Sequence, residues 1–152
     1  MTEAKSILLV EDHADDVFLM KRALKLAGVT SPVFVVGDGE EAVEYLEGTG
    51  QFNDRAAYPL PALMFLDLKL PLKSGHEVLE WARRNKALEA LTIVVLTTSE
   101  EPGDIARSYQ LGANSYLVKP PTADEILELA AAFNLSWLGQ HKVEPSRLDR
   151  HS

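Results

Sequence analysis

The chain has 152 residues, 46% apolar and 25% charged, with 23 Asp plus Glu against 15 Lys plus Arg and a formal net charge of -8. That is the composition of one folded domain, and its acidic balance excludes generic nucleic-acid binding, which needs a basic footprint. With no cysteine, the sequence also excludes disulfides, thiolate metal sites and a cysteine nucleophile, and the scatter of its four histidines (13, 76, 141 and 151) argues against a histidine-based metal site.

In chain order, Ile7-Leu-Leu-Val10 is a short continuous apolar run, the pattern of a strand buried on both faces of a parallel sheet. Val17, Met20, Leu24 and Ala27 then recur at helical spacing up to Gly28. Val33-Phe-Val-Val36 reads as a second buried strand. A turn with Gly37 and Gly39 leads into a helix expected to face Ala42, Val43 and Leu46 inward, closed by Gly48. Residues 48–61 form a connector long for a compact domain, read either as a functional loop or as a tolerated surface insertion. Leu63-Met-Phe-Leu66 is the third strand, followed by a helix from about Gly75 to Asn85 carrying Val78, Leu79 and Ala82 on one side. Ile93-Val-Val-Leu96 is the fourth, with a helix from about Gly103 to Leu111 after it, and Ser115-Tyr-Leu-Val118 is the fifth. The last helix opens on Thr122-x-x-Glu125, a capping box. Ile126, Ala130, Phe133 and Trp137 predict one helical stripe there, which Leu127, Leu129 and Leu138 widen beyond one sheet face, as a partner surface or a buried helix end would. From about Gln140 mixed charge and a proline predict a poorly ordered tail over 140–152. Five strands alternating with five helices predict an α/β fold with a parallel sheet. No apolar run reaches the roughly 20 residues of a membrane span. Met1–Lys5 starts no signal peptide either, so the expected location is cytoplasmic, with no membrane partner.

In open parallel sheets the ligand crevice lies beyond the carboxyl ends of the strands. Glu11-Asp12 follow the first strand, Asp67 the third, Thr97-Thr98-Ser99 the fourth and Lys119-Pro120 the fifth. Three carboxylates forced together repel unless a cation neutralises them. An oxygen-only donor set favours a hard ion, and a few carboxylates with waters suit Mg2+. Such an ion, an ammonium and a hydroxyl together can neutralise the oxygens of a transferring phosphoryl group, while a carboxylate takes it as an acyl phosphate.

Taken as an ordered set, Ile7-Leu-Leu-Val-Glu-Asp12, Leu66-Asp67-Leu-Lys-Leu-Pro71 with Gly75, Val95-Leu-Thr97-Thr-Ser99 and Tyr116-Leu-Val-Lys119-Pro120 closely resemble the receiver domain of two-component response regulators. The resemblance covers residues 5–139 and implies a doubly wound, five-stranded, flavodoxin-like sheet in the order 2-1-3-4-5, a common order for such sheets. Carried over residue by residue, it makes Asp67 the phosphoacceptor, fed by a phosphohistidine on a sensor histidine kinase. Asp12 would bind Mg2+ directly, Glu11 would help through the metal's waters, and the backbone carbonyl of Lys69 would complete the set with Asp67. Lys119 would pair with the acceptor and then with the phosphoryl group, with Thr97 and Tyr116 as coupled switch residues. Thr98 stands where many members carry Ala or Gly, and is expected to slow loss of the phosphoryl group. The long connector, the Leu-Thr-Thr-Ser run and the late Phe133, Trp137 and Leu138 resemble the stand-alone regulators paired with bacterial phytochromes. That subgroup implies a homodimer formed through the C-terminal half. The protein would catalyse only its own phosphorylation and dephosphorylation, signalling through its helix 4–strand 5–helix 5 surface.

Rival readings meet specific obstacles. A haloacid-dehalogenase-like phosphatase needs an acid/base Asp two residues after its nucleophile, where Lys69 stands. Gly37-Asp-Gly-Glu-Glu-Ala42 formally fits a dinucleotide turn, but Glu40 and Glu41 would repel a pyrophosphate. A non-phosphorylated docking module keeping the receiver fold remains the alternative, opposed by the intact Glu11, Asp12, Asp67, Thr97 and Lys119 set. His13 and His76 read as solvated surface residues.

Overall fold

The computed structural model describes residues 5–98 and 100–138. The strands β1 (Ile7–Val10), β2 (Val33–Val36), β3 (Leu63–Leu66), β4 (Thr92–Thr97) and β5 (Ser115–Val118) form one parallel sheet in the order β2-β1-β3-β4-β5. Helices α1 (Ala14–Leu26), α2 (Gly39–Glu47), α3 (Gly75–Arg84) and α4 (Pro102–Gln110) make the four crossovers, and α5 (Ala123–Ala132) follows the last strand. The fold is the doubly wound, flavodoxin-like α/β sheet with five helices. Ser99 and the tail at 140–152 lie outside the described residues.

β1 and β3 are apolar at every position, and β4 between its terminal Thr92 and Thr97, because both faces of these strands are covered. Leu8, Val10, Met64, Leu66, Ile93 and Val95 face the core shared with α2 and α3, while Ile7, Leu9, Phe65, Val94 and Leu96 face α1 and α5. Each fully buried side chain of this size contributes about 1.5–3 kcal/mol relative to exposure. β2 departs from the expectation of a buried strand. It is a sheet edge, and Val35 is 38% exposed. On α2 the buried side chains are Ala42, Tyr45 and Leu46, so Tyr45 takes the place expected of Val43.

The helix ends follow the local chemistry. Ser74 and Glu77 form a capping box at α3, and Thr122 and Glu125 form the expected one at α5. Helix α5 stops at Ala132, with Phe133 as its C-cap and Asn134 at φ 54, so the stripe from Ile126 to Trp137 is not one helix. Trp137 instead lies in a separate turn, Ser136–Leu138, and packs with Phe133 against the α1–α5 core. Leu129, Leu135 and Leu138 are buried within the chain, leaving Leu127 as the exposed large apolar residue of α5. Most of the extra apolar width is therefore absorbed internally.

The connector is an ordered cover over the end of α2. The Arg55 guanidinium donates to the carbonyls of Tyr45 (2.8 Å) and Leu46 (2.7 Å) in the last turn of α2, and to that of Tyr58 (3.0 Å). Phe52 and Tyr58 pack against Tyr45 and against each other, with ring centroids 5.0–6.1 Å apart. The Tyr45 hydroxyl donates to the Pro59 carbonyl at 3.0 Å, and burial pushes its pKa up to about 12.

Among the described residues, one buried side-chain polar atom is unsatisfied. The Ser6 hydroxyl, fully buried beside β1, has no hydrogen-bond partner among the described residues. Ser6→Ala removes that desolvation cost and is expected to stabilise the protein by about 1 kcal/mol, read as a higher urea midpoint at constant slope. A lower midpoint would show that the hydroxyl is satisfied in solution.

Candidate functional site

The sheet register carries the predicted residues to one edge. Val10 pairs with Leu66, so Glu11-Asp12 and Asp67 leave neighbouring strands side by side. The ladder continues past the strand ends through Glu11 N–H to the Val36 carbonyl (3.0 Å) and Asp67 N–H to that of Val10 (3.2 Å). On the other side, Lys119 N–H donates to the carbonyl of Thr97 (2.8 Å), the last residue of β4. Glu11, Asp67 and Thr97 are all buried, the two carboxylates at 3% and 4% exposure.

Lys119 organises these acids. Its ammonium, on a side chain 7% exposed, donates to Asp67 Oδ2 at 3.1 Å, to Asp16 Oδ2 at 3.0 Å and to Glu11 Oε1. Asp67 Oδ1 accepts the Lys69 N–H at 3.3 Å, and Glu11 Oε2 accepts that of His13 at 3.1 Å. Burial disfavours the Lys119 charge, but the hydrogen bonds to Glu11 and Asp16 and the charge of Asp67 overcome it and raise its pKa. Burial dominates at Glu11, whose pKa is raised despite the hydrogen bonds from Lys119 and His13, with Asp67 adding repulsion. This is a buried carboxylate cluster carrying more negative charge than its single ammonium balances.

The loop from Asp67 to α3 is clamped on both sides. Gly75 N–H donates to the Leu68 carbonyl at 2.9 Å, and Gly39 N–H to that of Pro71 at 3.3 Å. Added Cβ atoms would stand 2.2 Å from the Asp67 carbonyl oxygen at Gly75 and 1.9 Å from that of Lys73 at Gly39. Between them Leu72 holds φ at 68°, a left-handed conformation unusual for a leucine, with its side chain largely in solvent.

Glu11, Asp12, His13 and Asp67 can each offer one ligand atom, all within 4.8 Å of one another. Three carboxylates with excess negative charge fit a hard divalent cation bound through oxygen. His13 is more involved than its reading as a solvated loop residue. Its ring is largely exposed, but Nδ1 lies 3.2 Å from Asp12 and 3.4 Å from Glu11. His76 is likewise no free surface residue, since Nε2 is 3.1 Å from the hydroxyl of buried Ser108 on α4. Tyr116 sits in β5 opposite Val95, half-buried against the α2–α3 core. The Gly37–Ala42 turn is closed by acids, with Glu41 Oε1 accepting the Gly37 N–H at 2.7 Å and Asp38 accepting that of Glu41 at 2.7 Å. A pyrophosphate would find those donors already used. Among the described residues no helix is long and apolar enough to cross a membrane. Sequence reasoning missed Asp16. Its signal was faint, an acidic residue in the first turn of a helix, which the helix dipole favours anyway.

Comparison with known proteins identifies the family. The family described as response regulator receiver domain matches residues 7–131. Response regulator Rcp1 of Synechocystis sp. is 35% identical over 134 residues, 88% of this chain and 89% of that protein. Its Mn(2+)-bound crystal structure superposes with a TM-score of 0.72 at 34% identity, over 92% of this chain and 99% of that one. The bacteriophytochrome response regulator RtBRR gives a TM-score of 0.80 at 36% identity, covering 98% of this chain and 91% of its own. The phosphorylated cyanobacterial phytochrome response regulator RcpA gives 0.74 at 34% identity, covering 92% and 98%.

Proposed function

The chain belongs to the response regulator receiver family, and from that premise we propose that Asp67 is its phosphoacceptor. The donor is a phosphohistidine of a sensor histidine kinase, and relatives such as RtBRR and RcpA support a phytochrome-type one. The receiver unit runs over residues 5–139. Asp12, Asp67 and the main-chain carbonyl of Lys69 would hold the metal, with Glu11 helping through its waters, and the hardness of the oxygen donors assigns it as Mg2+. The observation that carries the reading is the Lys119 ammonium, which holds buried Asp67 by one oxygen among the other acids.

The chemistry follows from those contacts. Oδ1 of Asp67, held by a main-chain N–H, and Oδ2, held by Lys119, orient the carboxylate as a nucleophile. Its attack on phosphorus forms the acyl phosphate bond as the P–N bond of the phosphohistidine breaks. The electron pair of that bond leaves with the imidazole. A bound divalent cation supplies positive charge for the phosphoryl oxygens. Lys119 follows the new negative charge, and Thr97 donates its hydroxyl to the phosphoryl group. Tyr116 then reorients inward, altering the α4–β5–α5 surface that downstream partners read. The same residues make phosphorylation and dephosphorylation self-catalysed. A cytoplasmic location and a homodimer through the C-terminal half complete the proposal, the latter resting mainly on the likeness to the phytochrome-linked relatives. No nucleic acid or membrane partner is invoked.

Incubation with acetyl phosphate and Mg2+ tests the assignment by intact mass. Wild type should gain one phosphoryl group, and Asp67→Asn should gain none. Equal labelling of both would move the acceptor elsewhere, and no labelling of wild type would leave a docking module.

A further inference from the structure

Lys119 spends its three N–H donors on carboxylates from three elements: Glu11 beyond β1, Asp67 beyond β3 and Asp16 on α1. Glu11 and Asp67 belong to the group whose ligand atoms converge for a cation, whereas Asp16 does not. Asp16 therefore meets that cluster chiefly through the ammonium at 3.0 Å, with the ring Nδ1 of His13 farther off at 3.9 Å. Its neighbour Asp15 shares the first turn of α1 and the same relation to the helix dipole, but it is exposed and makes no ion pair with Lys119.

We propose that Asp16 is a positioning residue for Lys119, fixing the ammonium from the α1 side so that it faces the phosphoryl group arriving at Asp67. The inference rests on the proposed role of Asp67 and deepens it. With two anchors, Glu11 and Asp67, the ammonium could collapse onto that pair and mask the acceptor oxygen. The third anchor holds it at a point where it contacts Asp67 through Oδ2 alone, leaving Oδ1 to the Lys69 N–H. Small displacements of a positioned group are costly for a reaction that depends on alignment.

The two requirements on Asp16, an acceptor atom and a charge, separate by substitution. Asp16→Asn keeps an acceptor oxygen at the same reach, and Asp16→Ala removes it. The rate of phosphorylation by acetyl phosphate with Mg2+ should fall about tenfold in Asp16→Ala and recover to within about threefold of wild type in Asp16→Asn. Asp15→Ala should match wild type. Affinity for Mn2+, read from loss of the free-ion electron paramagnetic resonance signal, should stay within about threefold of wild type in both Asp16 variants, because Asp16 lies outside the converging donors. A wild-type rate in Asp16→Ala overturns the proposal. So do equal losses in the two Asp16 variants, or a parallel loss of Mn2+ binding, which would make Asp16 a matter of charge. Failure of wild type to label, or labelling of Asp67→Asn, strikes the parent reading instead and is seen before any Asp16 variant is made.

Discussion

Lys119→Met should destabilise the protein by about 3–5 kcal/mol at pH 7, the usual cost of stripping one partner from a buried ion pair. Methionine keeps an unbranched side chain only one heavy atom shorter, so the loss is chiefly that of the charge. Glu11 and Asp67 would remain buried with no cation beside them. The deficit should depend on pH. The folded pKa of Glu11 lies above its ordinary 4.5 even with Lys119 present, because burial disfavours the carboxylate. A group raised in this way contributes stability that is complete below about 4.5 and lost as pH rises through the folded value. Without the ammonium that rise is larger, so the variant should approach wild type near pH 4 and fall furthest behind at neutral pH. Lys119 is itself raised in the folded state, so its stabilising contribution in wild type is complete below its ordinary 10.5 and therefore intact at pH 7. Urea unfolding at pH 4 and pH 7 checks both, and a deficit independent of pH would contradict this origin of the effect. Millimolar Mg2+ should restore part of the stability at pH 7, by binding the folded state alone. Labelling by acetyl phosphate should be lost.

Gly75→Ala is the second large effect. The new methyl would need to occupy space 2.2 Å from the Asp67 carbonyl oxygen and 2.6 Å from the Leu68 Cα, both backbone atoms that cannot swing aside. Overpacking of this kind costs about 3 kcal/mol at its upper range. For a chain of this size that is roughly 6–12 °C in melting temperature. The strain falls on Asp67, the proposed acceptor, so labelling should drop even at temperatures where the variant is folded. Gly103→Ala is the control, because nothing lies within 4 Å of its added Cβ and it sits inside α4. There alanine should be neutral or stabilising by up to about 1 kcal/mol. Equal melting of the two variants would show that the loop can yield at Gly75.

Much of the site was legible because its logic is short-range. A residue directly after a buried parallel strand must emerge at the sheet's carboxyl edge, so Glu11, Asp12, Asp67, Thr97 and Lys119 could be gathered from strand positions alone. Capping at Thr122 was readable for the same reason, since the box closes within four residues. Where a reading depended on what packs across the chain, it failed or stayed open. The apolar run Val33–Val36 looks like the central strands, and only the sheet order makes it an edge. The periodicity from Ile126 to Trp137 continues through a helix end, because a turn that folds back can bury the same side chains. His76 gave no hint that it meets Ser108, 32 residues away on another helix.

The sequence by itself determined the alternation of strands and helices, the apolar fill of the central strands and which polar side chains emerge at one edge. These follow from hydrophobic period and backbone geometry, which act over a few residues. Tertiary structure alone decided which carboxylates share the ammonium, that Asp16 is among them and that two glycines clamp the loop after Asp67. It also decided that Arg55 turns the long connector into a cap for α2. Contacts made by the far ends of long side chains, and approaches between backbones far apart in sequence, exist only once the elements have packed.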